Sequence, residues 1–239
     1  MKLTKSSKIL ALVLCAALLV GGSVMATVAY LQDSEEVVNT FTVGKVDITL
    51  DETAVNADGT EIPGATRVKQ NAYHLIPGQT YVKDPTMTVI KGSEESYVRM
   101  IVTLNKAKEL KEVFGTGFLP QNYVEGWDSA VWTIDGVNGV KEDTAANTLT
   151  YEFRYATTVK PAANTDLVLD ALFDNFTLPT ELNGEDLEKL TGFEITVNGH
   201  AIQAVGFEAD TANSLAAVDV AWNAFDAQYA KEHPTTPQP

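Results

Sequence analysis

The chain has 239 residues with 32 acidic and 17 basic side chains, three histidines and one cysteine, giving a formal charge of −15. That balance excludes a nucleic-acid binder held by phosphate neutralisation, which needs Lys and Arg in excess. A hydrophobic fraction of 45% beside 21% charged residues excludes wholesale disorder and can supply a core, in one domain or two at this length.

Residues 1–29 read as a secretory signal peptide. Lys2, Lys5 and Lys8 form a basic start, residues 9–20 are an unbroken apolar run, and small residues lead to Thr27-Val28-Ala29, which predicts cleavage between Ala29 and Tyr30. Cleavage removes the only cysteine, Cys15, and leaves 14 basic against 32 acidic residues, a charge of −18. No disulfide framework is then available. Left uncleaved, the uncharged stretch 9–31 is long enough to cross a bilayer, but the small and polar residues after Val20 favour cleavage and no stable span afterwards. A lipoprotein signal fits worst, because Leu14 stands before Cys15 where a small residue is required.

The next segment, residues 30–36, is polar and acidic, and the folded part is expected over 37–232 as one domain. From Val43 to Leu50 the residues Val46, Ile48 and Leu50 alternate with Lys45, Asp47 and Thr49, which predicts a half-buried strand. Asp58-Gly59 and Pro63-Gly64 mark a loop or weak hairpin over 51–64. A strand is expected over 80–90 despite Pro85. Another follows over 97–104, with Val98, Met100, Val102 and Leu104 on one face.

Ala107, Leu110, Val113 and Phe114 fit one face of a two-turn helix closed by Gly115. Strand character resumes over 126–134 and 148–158, residues 166–176 are mixed, and 183–190 reads as one or two helical turns. Asn198-Gly199 sits between apolar alternations, which predicts a hairpin with a type I′ turn that sets Val197 opposite His200. Leu215, Val218, Trp222, Phe225 and Tyr229 keep helical spacing over about 214–231, and residues 233–239 form a Pro-rich tail. Short strands, frequent turns and few helices describe a mainly β protein, a jelly-roll-like antiparallel β-sandwich with short helices and a C-terminal helix.

Motifs for catalysis are missing. Zinc peptidases need converging imidazoles, usually His-Glu-x-x-His, whereas His74, His200 and His233 lie in separate contexts. There is no Gly-x-Ser-x-Gly, no thiol after cleavage, and Ser93 and Ser96 stand in an acidic turn. Carboxylate pairs such as Glu94-Glu95 read as solvated surface in so acidic a chain. The run Asn56-Ala57-Asp58-Gly59-Thr60-Glu61 has a calcium loop's composition without EF-hand spacing. No cofactor is therefore expected, with calcium and zinc left open. Trp127, Trp132, Tyr151, Phe153 and Tyr155 could form a carbohydrate platform, but their alternation fits a core better.

Two blocks resemble the TasA/camelysin family. The first is Gly21-Gly22 through Thr27-Val28-Ala29-Tyr30-Leu31-Gln32-Asp33, followed by Asn39-Thr40-Phe41-Thr42-Val43-Gly44-Lys45-Val46-Asp47-Ile48. The second is Leu75-Ile76-Pro77-Gly78-Gln79-Thr80 with Lys83-Asp84-Pro85-Thr86 and the turn from Gly92 into Tyr97-Val98. The resemblance implies export from a Gram-positive-type bacterium, cleavage by a signal peptidase of the SipW type, and a jelly-roll subunit of biofilm-matrix fibres at the cell surface. It further implies self-association, in which residues 30–43 add as a donor strand to the next subunit with Val37, Val38, Phe41 and Val43 as anchors. Camelysin, described as a surface metallopeptidase, supplies the competing expectation, and a monomeric surface adhesin is a third. With no ligand motif, the expectation is a non-enzymatic protein.

Overall fold

The computed structural model describes residues 45–134 and 139–233; the predicted signal peptide, donor segment and most of the Pro-rich tail lie outside them. The described chain is mainly β, and all its strand pairs are antiparallel. One sheet orders β1 (Ile48–Asp51), β3 (Thr86–Val89) and β9 (Leu167–Val168). A small second sheet orders β2 (Thr80–Val82), β10 (Asn175–Thr177) and β5 (Val124–Glu125). The third runs β11 (Ile195–Gln203), β4 (Ser96–Asn105), β8 (Thr148–Tyr155) and β6 (Trp132–Ile134), with β7 (Val140–Asp143) also on β8.

Side-chain alternation on β4 and β8 builds the core. Val98, Met100, Val102 and Leu104 of β4 and Leu149, Tyr151 and Phe153 of β8 are buried together with Met87 and Val89 of β3. The first and third sheets therefore pack face to face, as in a β-sandwich. Trp132 and Leu110 complete the cluster. Under the second sheet Tyr81 stacks on Phe176 at 5.0 Å between ring centres, and Tyr73 meets both edge-on. The core aromatics Trp132, Tyr151 and Phe153 are buried, and half-buried Trp127 donates its indole N–H to the Trp132 carbonyl at 2.8 Å. None of the four is an open sugar platform.

Three α-helices are described: α1 (Ala107–Phe114), α2 (Gly184–Lys189) and α3 (Ala217–Glu232). The first ends at Gly115 with φ 93°, as its sequence predicts. Its start is capped from elsewhere. Lys106 offers no side-chain cap, but Asn147, in the turn between β7 and β8, accepts from the Lys108 N–H at 2.9 Å and through its carbonyl from the Ala107 N–H at 3.1 Å. Asn147 also holds a left-handed φ of 55°, which Asn tolerates better than Ala. Asn147→Ala should lower the unfolding free energy by about 2 kcal/mol, from the lost cap and the strained backbone together. Asn147→Gly should cost less, and urea denaturation of both checks the order.

Three expectations need correction. The strand over 80–90 is two strands, because Lys83, Asp84 and Pro85 leave the ladder between them. Only residues 132–134 of the stretch 126–134 pair as strand. The larger error is Asn198-Gly199, which makes no turn: β11 runs straight through it, with Asn198 opposite Ile101 and Gly199 opposite Met100. Glycine is there for space. A Cβ on Gly199 would lie 2.6 Å from the Met87 methyl carbon, so the strand of one sheet approaches the side chains of the other too closely for any larger residue.

Candidate functional site

Among the described residues the sandwich is open along one side. Among these residues β11 ends its sheet and β1 ends the facing one, and the side chains of Ile48 and Leu50 on β1 lie 3.7 Å from where a Cβ on Gly199 of β11 would stand. Pairing fixes which groups are left over. The Ala204 N–H bonds to the Glu95 carbonyl and the Asn105 N–H to the Glu194 carbonyl. With the register 195 opposite 104, even-numbered residues of β11 therefore bond to β4. The N–H and C=O groups of Ile195, Val197, Gly199, Ala201 and Gln203 point away from it. Among the described residues nothing pairs with them.

The same reasoning applies to β1. The Ile90 N–H bonds to the Asp47 carbonyl, so Thr49 and Asp51 bond to β3 while Ile48 and Leu50 direct their main-chain groups outward. Side chains along this seam are only partly buried: Ile48, Leu50, Ile195, Val197 and Ala201 all pack on the core from its margin. The result, among the described residues, is two unpaired strand edges over one apolar rim. Such an edge is a template for another extended chain.

Chemistry is concentrated elsewhere, on the outer face of the third sheet beneath α3. Arg99, on β4, is buried and donates to both oxygens of Asp226 of α3, with Nη1 to Oδ2 at 3.2 Å, and from Nη1 to Glu152 Oε2 of β8 at 3.4 Å. Its guanidinium lies 4.4 Å from the centre of the Trp222 ring. Arg154 bridges Glu152 at 2.7 Å and Asp219 of α3 at 2.6 Å. Asp219, Trp222 and Asp226 stand three and four residues apart, on one face of the helix. Two arginine clamps and an indole thus fasten the helix to the sheet.

His200 belongs to this layer. Its Nδ1 accepts from Arg99 Nε at 3.2 Å, and its ring packs on Phe225 and Tyr229. Burial, and then the neighbouring Arg99 charge, push its pKa down to about 4 against the pull of Asp226. His233 stacks on Tyr229, and His74 lies exposed in a distant loop. The described residues contain no group of three or more His, Cys, Asp or Glu side chains able to hold a metal ion. In the supposed calcium loop, Asp58 is turned inward on its own turn: it accepts from the Thr60 hydroxyl at 2.6 Å and the Thr60 N–H at 3.0 Å, and these bonds lower its pKa.

Ala29, Tyr30, Val37, Val38, Phe41 and Val43 lie outside the described residues, so the predicted cleavage site and donor anchors are not placed. The open seam was missed in the sequence because alternation reveals which face of a strand is buried, not which edge is unpaired. Among the described residues no helix is long and apolar enough to cross a membrane. No family model, curated protein or solved structure matches the chain.

Proposed function

We propose that this chain is a secreted, non-enzymatic structural subunit that assembles into fibres at the cell surface or in the extracellular matrix. In this reading the signal peptide is removed between Ala29 and Tyr30 by a peptidase of the SipW type, and residues 30–43 of one copy add as a strand to the open seam of the next. The supporting observation is the run of main-chain groups on β11, and on the facing side of β1, that no described residue pairs with. A strand added there would take main-chain hydrogen bonds from the edge and cover its apolar rim with alternate side chains. In an extended strand Val37, Phe41 and Val43 fall on one face and Val38 on the other. A jelly-roll closure of the sandwich belongs to the same proposal, since a strand on the seam would supply it. Head-to-tail addition that does not close into a ring gives a filament.

Negative-stain microscopy of protein beginning at Tyr30, beside protein lacking residues 30–42, tests the reading. Filaments should form only from the first. A synthetic peptide of residues 30–43 added to the truncated protein should slow hydrogen exchange at Ile195, Val197, Gly199 and Ala201. Filaments from both proteins or from neither, or no added protection at those amides, would overturn strand addition.

A further inference from the structure

We propose that Lys83 and Asn71 form an intramolecular isopeptide bond, made spontaneously inside the folded chain with Glu52 as the proton relay. This inference does not depend on the fibre reading. Lys83 and Glu52 are each 6% exposed, and their charges meet at 2.5 Å from Nζ to Oε2. The second oxygen of the same carboxylate accepts from Asn71 Nδ2 at 2.9 Å. One carboxylate thus touches both the amine and the amide nitrogen.

The amide is held in one orientation. Asn71 Nδ2 also donates to the Thr53 carbonyl at 2.8 Å, while Oδ1 accepts from the Val55 N–H at 3.1 Å. Arg67 cannot compete for Glu52, since it is engaged by Asp51 and Asp84. Ala54 and Val55, which follow Glu52 in the chain, are buried, and burial, then the Glu52 charge, raise the pKa of the Tyr73 phenol.

Each group has a place in an acyl transfer. Glu52 takes a proton from the Lys83 ammonium, which frees the amine lone pair to attack Asn71 Cγ, and the new C–N bond forms as the carbonyl electrons move to Oδ1. The Val55 N–H, already on Oδ1, stabilises that oxyanion. Glu52 returns its proton to Nδ2, the old C–N bond breaks, ammonia leaves, and the remaining extra proton on Nζ passes back to the carboxylate and on to the ammonia. Lysine ammonium and primary amide become a secondary amide and ammonium, with no oxidant and no co-reactant. Fixing both partners on one relay supplies the effective concentration that amide exchange lacks in solution. The bond would tie the irregular segment around Asn71 to the end of β2, across the joint between the first two sheets.

Peptide mass mapping of the secreted full chain tests it. The intact chain should be lighter than its sequence by about 17 Da, the mass of one ammonia, and trypsin should leave residues 70–91 as one peptide uncut at Lys83. The mass is read on the intact chain because Gln70, once at the N-terminus of that peptide, loses ammonia by itself on cyclising. Chymotrypsin, cutting at Tyr73 and Tyr81, should leave two fragments joined. Glu52→Gln and Asn71→Ala proteins, checked for folding by circular dichroism, should show the full sequence mass and be cut after Lys83. The proposal falls if the wild-type chain is cut after Lys83 to release 70–83 and 84–91 as separate linear peptides, if the intact chain shows no deficit, or if a deficit of about 18 Da maps to Lys83 and Glu52 instead. Retention of the 17 Da deficit (about one ammonia) in Glu52→Gln would overturn the relay role.

Discussion

Replacing Arg99 with methionine should lower the unfolding free energy by about 3 kcal/mol, the lower end of the range for breaking a buried ion pair by removing one partner. The side chain is 4% exposed, and it serves Asp226, Glu152, His200 and the Trp222 face at once. The loss is held to the lower end for two reasons. Glu152 keeps Arg154 as a partner, and the Asp226 carboxylate, 55% exposed, can return to water. Asp226→Ala asks the opposite question, because it leaves the cation in place with Glu152 alone. Since α3 is held to the sheet through these clamps, the damage should begin locally. Hydrogen exchange across residues 217–232 should accelerate in Arg99→Met before the core strands respond, with the global loss read from urea melts. A cost below about 1 kcal/mol, or unchanged exchange in the helix, would mean that Arg99 is an ordinary surface charge folded under by packing.

What could be read in the sequence was governed by period. The alternation of Val98, Met100, Val102 and Leu104, and of Leu149, Tyr151 and Phe153, matches the buried faces of β4 and β8. Trp222, Phe225 and Tyr229 lie on α3 at the expected spacing, although the helix starts at Ala217, three residues later than expected. Where period and local turn preference disagreed, tertiary packing decided. Asn198-Gly199 has strong hairpin chemistry, yet nine consecutive pairings with β4 and the Met87 methyl over Gly199 keep it in a strand. The charged layer and the cross-linking triad were illegible for a different reason. Arg99, Glu152 and Arg154 occupy positions that read as the polar, solvated face of their strands, and only the docking of α3 buries them. Glu52, Asn71 and Lys83 are distant in sequence and sit in turn-rich stretches with no apolar frame. Burial of a polar residue is set by what lands on it, and no local pattern carries that information.

His200 should make the protein acid-sensitive over a defined window. In the unfolded chain its imidazole titrates near 6.5, whereas in the folded protein burial and Arg99 hold the pKa down to about 4. Between those values the unfolded state binds the extra proton and the native state does not, so stability is present above pH 6.5 and is lost as pH falls toward 4. A depression of that size corresponds to about 3 kcal/mol when fully expressed; the ring is partly open to solvent, and screening reduces this to about 1–2 kcal/mol. The groups facing His200 are Arg99 of β4, with Glu152 and Arg154 of β8 behind it, and Asp226, Phe225 and Tyr229 of α3. His200→Gln keeps an acceptor for Arg99 Nε but cannot titrate, so its urea midpoint should fall less between pH 7 and pH 4.5 than that of the wild type. His74→Gln, at an exposed loop position, should follow the wild-type curve. Parallel curves for wild type and His200→Gln would show that the buried imidazole carries no proton linkage.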